Sequence, residues 1–217
     1  MTSDGEQAPR HPRERVYAAE RAKAFFDAVV AIAMTLLILP LMESVGEVAD
    51  ASGTTLEWLT EHQSQLTSFV LSFAIIAMFW MNHQRMFEGV ERVTTSLLWI
   101  SMVWLLTIVW LPVATALSGR MDASDTLAKL LYIGSMVLTS LCGMAQRIYL
   151  MRHPELHHVR PAVLREGLGA DISMCVLFSI SLVVAVLVPQ IGYYALFLMV
   201  LTGVVQRVLR PVLRRGR

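Results

Sequence analysis

Six stretches of about 20 predominantly apolar residues divide this chain, each long enough to cross a hydrocarbon layer of roughly 30 Å as a helix. They fall near residues 24–42, 64–81, 96–117, 127–150, 167–188 and 191–209. Between the fifth and sixth only Pro189, Gln190 and Gly192 interrupt the apolar run, so these two spans are expected to form an antiparallel hairpin. The predicted fold class is therefore all-α, a bundle of six transmembrane helices. With 55% hydrophobic and only 16% charged residues, little of the chain is left to build a water-soluble domain. No internal repeat or low-complexity tract stands out. The expected organisation is a disordered cytoplasmic leader over 1–20, a transmembrane domain over 21–210 and a basic cytoplasmic tail over 211–217.

The placement of positive charge tests the span count, because a wrong number would scramble the alternation of loops. Of the 18 Lys and Arg residues, all but Arg120 and Lys129 fall on one side when both termini are cytoplasmic. The first outer loop has no basic residue and carries Glu43, Glu47, Asp50, Glu57 and Glu61. It is either a solvated loop or a mouth that concentrates cations. A net charge of +1 gives no reason to expect a nucleic-acid partner. Residues 1–15 lack the apolar core and small-residue cleavage site of a signal peptide. Cys142 and Cys175 both sit inside apolar runs and suggest no disulfide. Trp58, Trp110 and Tyr149 fall near span ends, as interfacial anchors do, whereas Trp80, Trp99 and Trp104 do not fit that role.

The first span, RAKAFFDAVVAIAMTLLILPLM from Arg21 to Met42, contains the one feature least at home in lipid, Asp27, about one turn inside the boundary. A carboxylate there needs a partner, and marks a functional position by default. Candidates are Arg21 and Lys23 on the same helix, and His83 at similar depth on the second. The two readings are a fastening of the helix end and contact with a passing ion. Farther along, Ile32, Leu36 and Leu39 recur at helical spacing on one face, with Thr35 beside them, as rungs roughly 4 to 6 Å apart. Such a stripe suits lipid contact, core packing or a pore lining. Ala24, Ala28, Ala31 and Ala33 would permit close helix approach in any of these cases.

The pattern of Arg21, three residues, Phe25, Phe26 and Asp27, followed by AVVAIAMTLLILPL, resembles the R-x-x-x-F-S-D signature helix of the transmembrane protein 175 family, potassium channels of the lysosomal type and their bacterial relatives. The second span resembles the family's F-W-x-x-H-x-R-x-F stretch through Trp80, His83, Arg85 and Phe87, and SLLWISMVWLLTIVWLPVATAL resembles its third helix. The likeness runs from about Arg21 to Arg210, and its specificity comes from the first three spans.

What the resemblance implies is a potassium-permeable cation channel without a TVGYG filter loop, and no such loop occurs in this sequence. It implies a homotetramer with one six-helix unit per chain, the pore formed by the first helix of four subunits in a bacterial plasma membrane. The family's hydrophobic constriction maps to Ile32, with further rungs at Leu36 and Leu39 and the hydroxyl position at Thr35. A narrow aliphatic ring gates by losing its water. Arg21, Phe25, Phe26, Asp27, Trp80, His83 and Ser101 correspond to residues that knit the helices together at the cytoplasmic end. Phe26 stands where the family has Ser, and Ser101 where the third helix usually has Asn, so two hydrogen-bonding groups of that network are replaced. Potassium is implied as the permeant ion, membrane lipid as the surroundings, and no cofactor or metal.

Three other classes compete with a channel. His153, His157 and His158 have the spacing of one histidine box of a membrane di-iron enzyme, but such a site needs several boxes, and the other histidines are scattered at His11, His62 and His83. An enzyme is not expected. A proton-coupled secondary transporter could use Asp27, yet no paired Gly- or Pro-interrupted helices mark two related halves. A non-conducting structural membrane protein is the remaining alternative. The basic tail, Arg207 to Arg217, could bind anionic lipid or serve only to set topology.

Overall fold

The structure, a computed structural model, describes residues 16–50, 54–120 and 125–187, with residues 46–50 described by backbone alone. The sixth span, the hairpin tip and the basic tail lie outside the described residues. In chain order come strand β1 (Val16–Ala18), helices α1 (Ala19–Leu36), α2 (Leu39–Asp50), α3 (Thr55–Glu61) and α4 (Gln63–Phe87), strand β2 (Arg92–Thr94), and helices α5 (Thr95–Arg120), α6 (Thr126–Arg152) and α7 (Pro161–Leu187). Five segments are long and apolar enough to cross a membrane: Ala19–Val45, Gln63–Phe87, Thr95–Arg120, Thr126–Arg152 and Pro161–Leu187. They coincide with the first five expected spans and run past them at the ends, where polar residues such as Arg85, Arg120 and Arg152 extend the helices beyond the apolar stretch.

Local chemistry sets the boundaries. Pro40 offers no N–H, and its ring would collide with the carbonyl of residue 36 in a continuous helix. The chain therefore leaves α1 at Leu36, makes a tight turn at Leu37 and Ile38, and resumes as α2. The turn is held by Ile38 N–H donating to Thr35 O (3.3 Å) and Leu41 N–H to Ile38 O (3.1 Å). From the last turn of α5, Arg120 clasps the restart by donating to Glu43 Oε2 at 2.8 Å. Before α3, Thr54 and Glu57 form a reciprocal capping box. The Thr54 backbone N–H, and then its side chain, hold the Glu57 carboxyl below the usual carboxylate range. Asp125 caps α6 by accepting from the N–H groups of Leu127 (2.8 Å) and Ala128 (3.2 Å).

Helix α5 is central and packs against α1, α4 and α6, and α7 lies along α6. The core where they meet is built from Phe26, Ile76, Phe79, Trp104, Ile108, Tyr132, Met136 and Phe178. Hydroxyls join this core. Ser72 bonds Tyr132 (2.6 Å) and accepts from Thr115 (2.8 Å), tying α4, α5 and α6 together. Lys129, placed on the outer side by charge counting, is buried in the first turn of α6 and donates to Ala185 O near the end of α7 at 3.0 Å.

One end of the bundle departs from the all-α expectation. Val16, Tyr17 and Ala18, counted from the sequence with the leader, pair antiparallel with Thr94, Val93 and Arg92. Val90 bridges to His157, and Arg92 donates to Glu155 O at 3.0 Å, so the loop after α6 docks on the same ribbon. In that loop His153 lies 2.9 Å from Tyr149 O with its ring stacked on Tyr149, His157 lies 3.0 Å from Leu150 O, and His158 pairs with Glu91 at 3.2 Å. The three histidines turn to different partners. Among the described residues no group of three or more His, Cys, Asp or Glu could hold a metal.

Candidate pore face and interhelical network

Helix α1 has two contrasting faces. Phe26, Val30 and Ala33, with Leu37 just beyond, are buried against α5 and α4. The opposite face carries Ala24, Phe25, Ala28, Ala31, Ile32, Thr35 and Leu36 and is exposed, continuing past the turn to Leu39. Ile32 is 59% exposed and Leu39 50%. Thr35, exposed on the same stripe, donates through Oγ1 to Ile32 O at 2.8 Å. The four expected pore residues thus share one uncovered side of the chain, in two helical pieces rather than one. Alanines alternating with aliphatic residues make this face narrow enough for helices to approach closely.

Behind the stripe, Asp27 accepts a hydrogen bond from Trp80 Nε1 at 3.0 Å and another from Gln84 Nε2. The sequence-based candidates for its partner are therefore not its partners: Lys23 pairs with Glu20 at 3.0 Å, Arg21 is exposed in the first turns of α1, and His83 faces the other way. Trp80, which did not fit an interfacial role, is held by this bond. Its exposure of 36% shows a ring that is only partly covered.

His83 is buried in an aromatic cluster. Its ring stacks on Trp104 at 4.2 Å and on Phe87 at 4.4 Å, and meets Phe26 edge-on at 5.5 Å. Phe26 also meets Phe87 edge-on at 5.7 Å, and Phe25 lies edge-on to Phe26 at 6.4 Å. Phe26 therefore substitutes aromatic packing for a hydroxyl at this position. Ser101 is fully buried and donates to Leu97 O of its own helix at 2.8 Å, so it makes no cross-helix bond through that hydrogen.

The most deeply buried ion pair among the described residues was not anticipated from the sequence. Arg147 of α6, counted there as a topology-setting charge, is buried and pairs with the buried Asp171 of α7 through Nε and Oδ2 at 2.5 Å. Asn82 of α4 completes the cluster, donating to Asp171 Oδ1 at 2.6 Å and accepting from Arg147 at 3.1 Å. Any side chain at Gly167 would run into the Arg147 guanidinium, so the glycine makes room for the pair. The available signal was Asp171 itself, an acid inside an apolar span, which demands a cation at equal depth on a neighbouring helix.

The sequence profile of the family described as "Endosomal/lysosomal potassium channel TMEM175" matches residues 21–112, which hold α1, α4 and most of α5. A protein of Streptomyces collinus named a potassium channel is 32% identical over 143 residues, covering 64% of this chain and 68% of that relative. The chain belongs to the TMEM175 family. The alignments with other relatives are shorter in proportion. A potassium channel of Chamaesiphon minutus is 34% identical over 97 residues, 45% of this chain and 47% of that protein. The endosomal/lysosomal proton channel TMEM175 of Danio rerio is 22% identical over 138 residues, 64% of this chain but 26% of that one. The crystal structure of a lysosomal potassium-selective channel TMEM175 homolog from Chamaesiphon minutus superposes with a TM-score of 0.59 at 23% identity, over 85% of this chain and 97% of that one, and shows a shared fold. The profile match ends within α5 and takes in Asp27, Trp80 and His83, whereas Arg147 and Asp171 lie beyond it.

Proposed function

We propose that this TMEM175 family member is a potassium-permeable cation channel, a homotetramer in which α1 of each subunit lines the pore. Ile32 forms the constriction, Leu36 and Leu39 the further aliphatic rungs, and Thr35 the hydroxyl position. Arg21, Phe25, Phe26, Asp27, Trp80, His83 and Ser101 secure the helices at one end. The reading includes a sixth span, cytoplasmic termini and a bacterial plasma membrane, which the charge distribution and the bacterial relatives support. The leader over 1–20, channel domain over 21–210 and basic tail over 211–217 are part of the same proposal.

The observation that carries it is the uncovered stripe of α1. A helix packed on one face only, with small residues and aliphatic rungs on the other, is suited to meeting its own copies around an axis. A ring of isoleucines at such an axis is a dewetting gate. The relatives' names as potassium channels supply the ion. Purified protein in potassium-loaded liposomes should pass potassium passively down its gradient with no proton gradient imposed. Flux that depends on an opposing proton gradient and saturates at a low rate would instead make it a transporter, and no flux from assembled protein would make it a structural one.

A further inference from the structure

Behind the aromatic cluster, α4, α5, α6 and α7 enclose a small cavity lined by His83, Asn82, Gln146, Thr139, Ser140 and Asp171, among others. The space open to the centre of a water molecule is about 10 Å³, enough for one water. Gln146 is fully buried, and neither its Nε2 nor its Oε1 has a hydrogen-bond partner; His83 Nε2 is likewise buried and unpartnered. Three orphaned polar atoms thus belong to two residues, on two helices, that line one water-sized space. Buried amides and imidazoles are rarely left dry, because each loses its hydration without replacement.

We propose that this cavity holds a single structural water that hydrogen-bonds the Gln146 side-chain amide and His83 Nε2. A water both donates and accepts, so it satisfies the amide N–H, the amide oxygen and the imidazole nitrogen in either tautomer. Thr139 and Ser140 direct their hydroxyl hydrogens to Ser135 O (2.8 Å) and Met136 O (2.9 Å) of their own helix, which leaves lone pairs for the same water. A cation fits less well. The nearby Arg147 and Asp171 already neutralise one another, and no further carboxylate lines the space to offset a second positive charge. The water joins α4 to α6 beside the Asn82–Arg147–Asp171 cluster and completes one polar hub within an apolar bundle.

A high-resolution structure of the full chain in lipid nanodiscs tests this. One isolated density about 2.7–3.2 Å from the Gln146 amide and His83 Nε2 is expected. An empty cavity, a Gln146 amide turned onto a protein group, or density with the ligand number of a metal ion would overturn it. Melting of Gln146→Leu, His83→Phe and the double variant gives an independent reading. With the water present, Gln146→Leu strands the imidazole and lowers the melting temperature by a few degrees, and the double variant loses less than the sum of the two. A dry cavity gives the opposite: Gln146→Leu removes two unpaired atoms and melts at the parent temperature or above. If His83→Phe fails to assemble, Gln146→Leu alone still decides the sign.

Discussion

At Ile32 and Asp27, five residues apart on one helix, the side chains have opposite duties. Ile32 stands on the exposed stripe and touches little of its own subunit, whereas Asp27 is held by Trp80 and Gln84 of α4. Replacing Ile32 by Asn should leave the fold intact, wet the proposed constriction and raise potassium leak in liposomes several-fold; unchanged leak from assembled protein would remove Ile32 from the proposed gate. Asp27→Ala should do the reverse. Losing hydrogen bonds to a charged acceptor costs about 1.5–3 kcal/mol each, so melting should fall by several degrees with no rise in leak. The presence of Asp27 and the aliphatic rungs could be read from the sequence, but its partner could not. Depth along α4 placed His83 opposite, yet successive helical residues point about 100° apart, and that rotation turns Trp80 and Gln84 toward α1 while His83 faces α5.

Between elements, the deciding contacts are those that packing buries. The Arg147–Asp171 pair has side chains only 4% and 2% exposed, so removing one partner strands a charge inside the bundle. Asp171→Ala should lower stability by about 3–5 kcal/mol, while Arg147→Met combined with Asp171→Leu should recover most of the loss. The exposed clasp of Arg120 on Glu43 provides the contrast, since a surface pair contributes about 0–1 kcal/mol and Arg120→Ala should melt close to the parent. Thermal unfolding in one detergent checks all three. The five spans were legible because apolar length alone specifies a crossing. The turn at Leu37 and Ile38 was less so: Pro40 is visible in the sequence, but whether the chain stops, bends or restarts there depends on which N–H groups donate to the carbonyls it frees. The β1–β2 ribbon was not legible either, because a three-residue strand acquires its partner only once α4 and α5 bring Arg92–Thr94 alongside it.

For the molecule as a whole, the described helices bury one face of α1 and leave the other uncovered, and the proposed symmetric assembly uses that free face. Exposed aliphatic residues also run along α5, including Leu106 at 69%, and these suit contact with lipid. The central claim is that the α1 stripe meets water and the α5 stripe meets lipid, although both are largely apolar in sequence. Cysteine substitution in a Cys142→Ala, Cys175→Ala background separates them. Ile32→Cys and Leu36→Cys should react with a membrane-impermeant thiol reagent and lose potassium flux as they do so, while Leu106→Cys reacts only with a lipid-soluble one. Should the α1 sites behave like Leu106, silent to the aqueous reagent and labelled from the lipid phase, the pore would have to lie elsewhere.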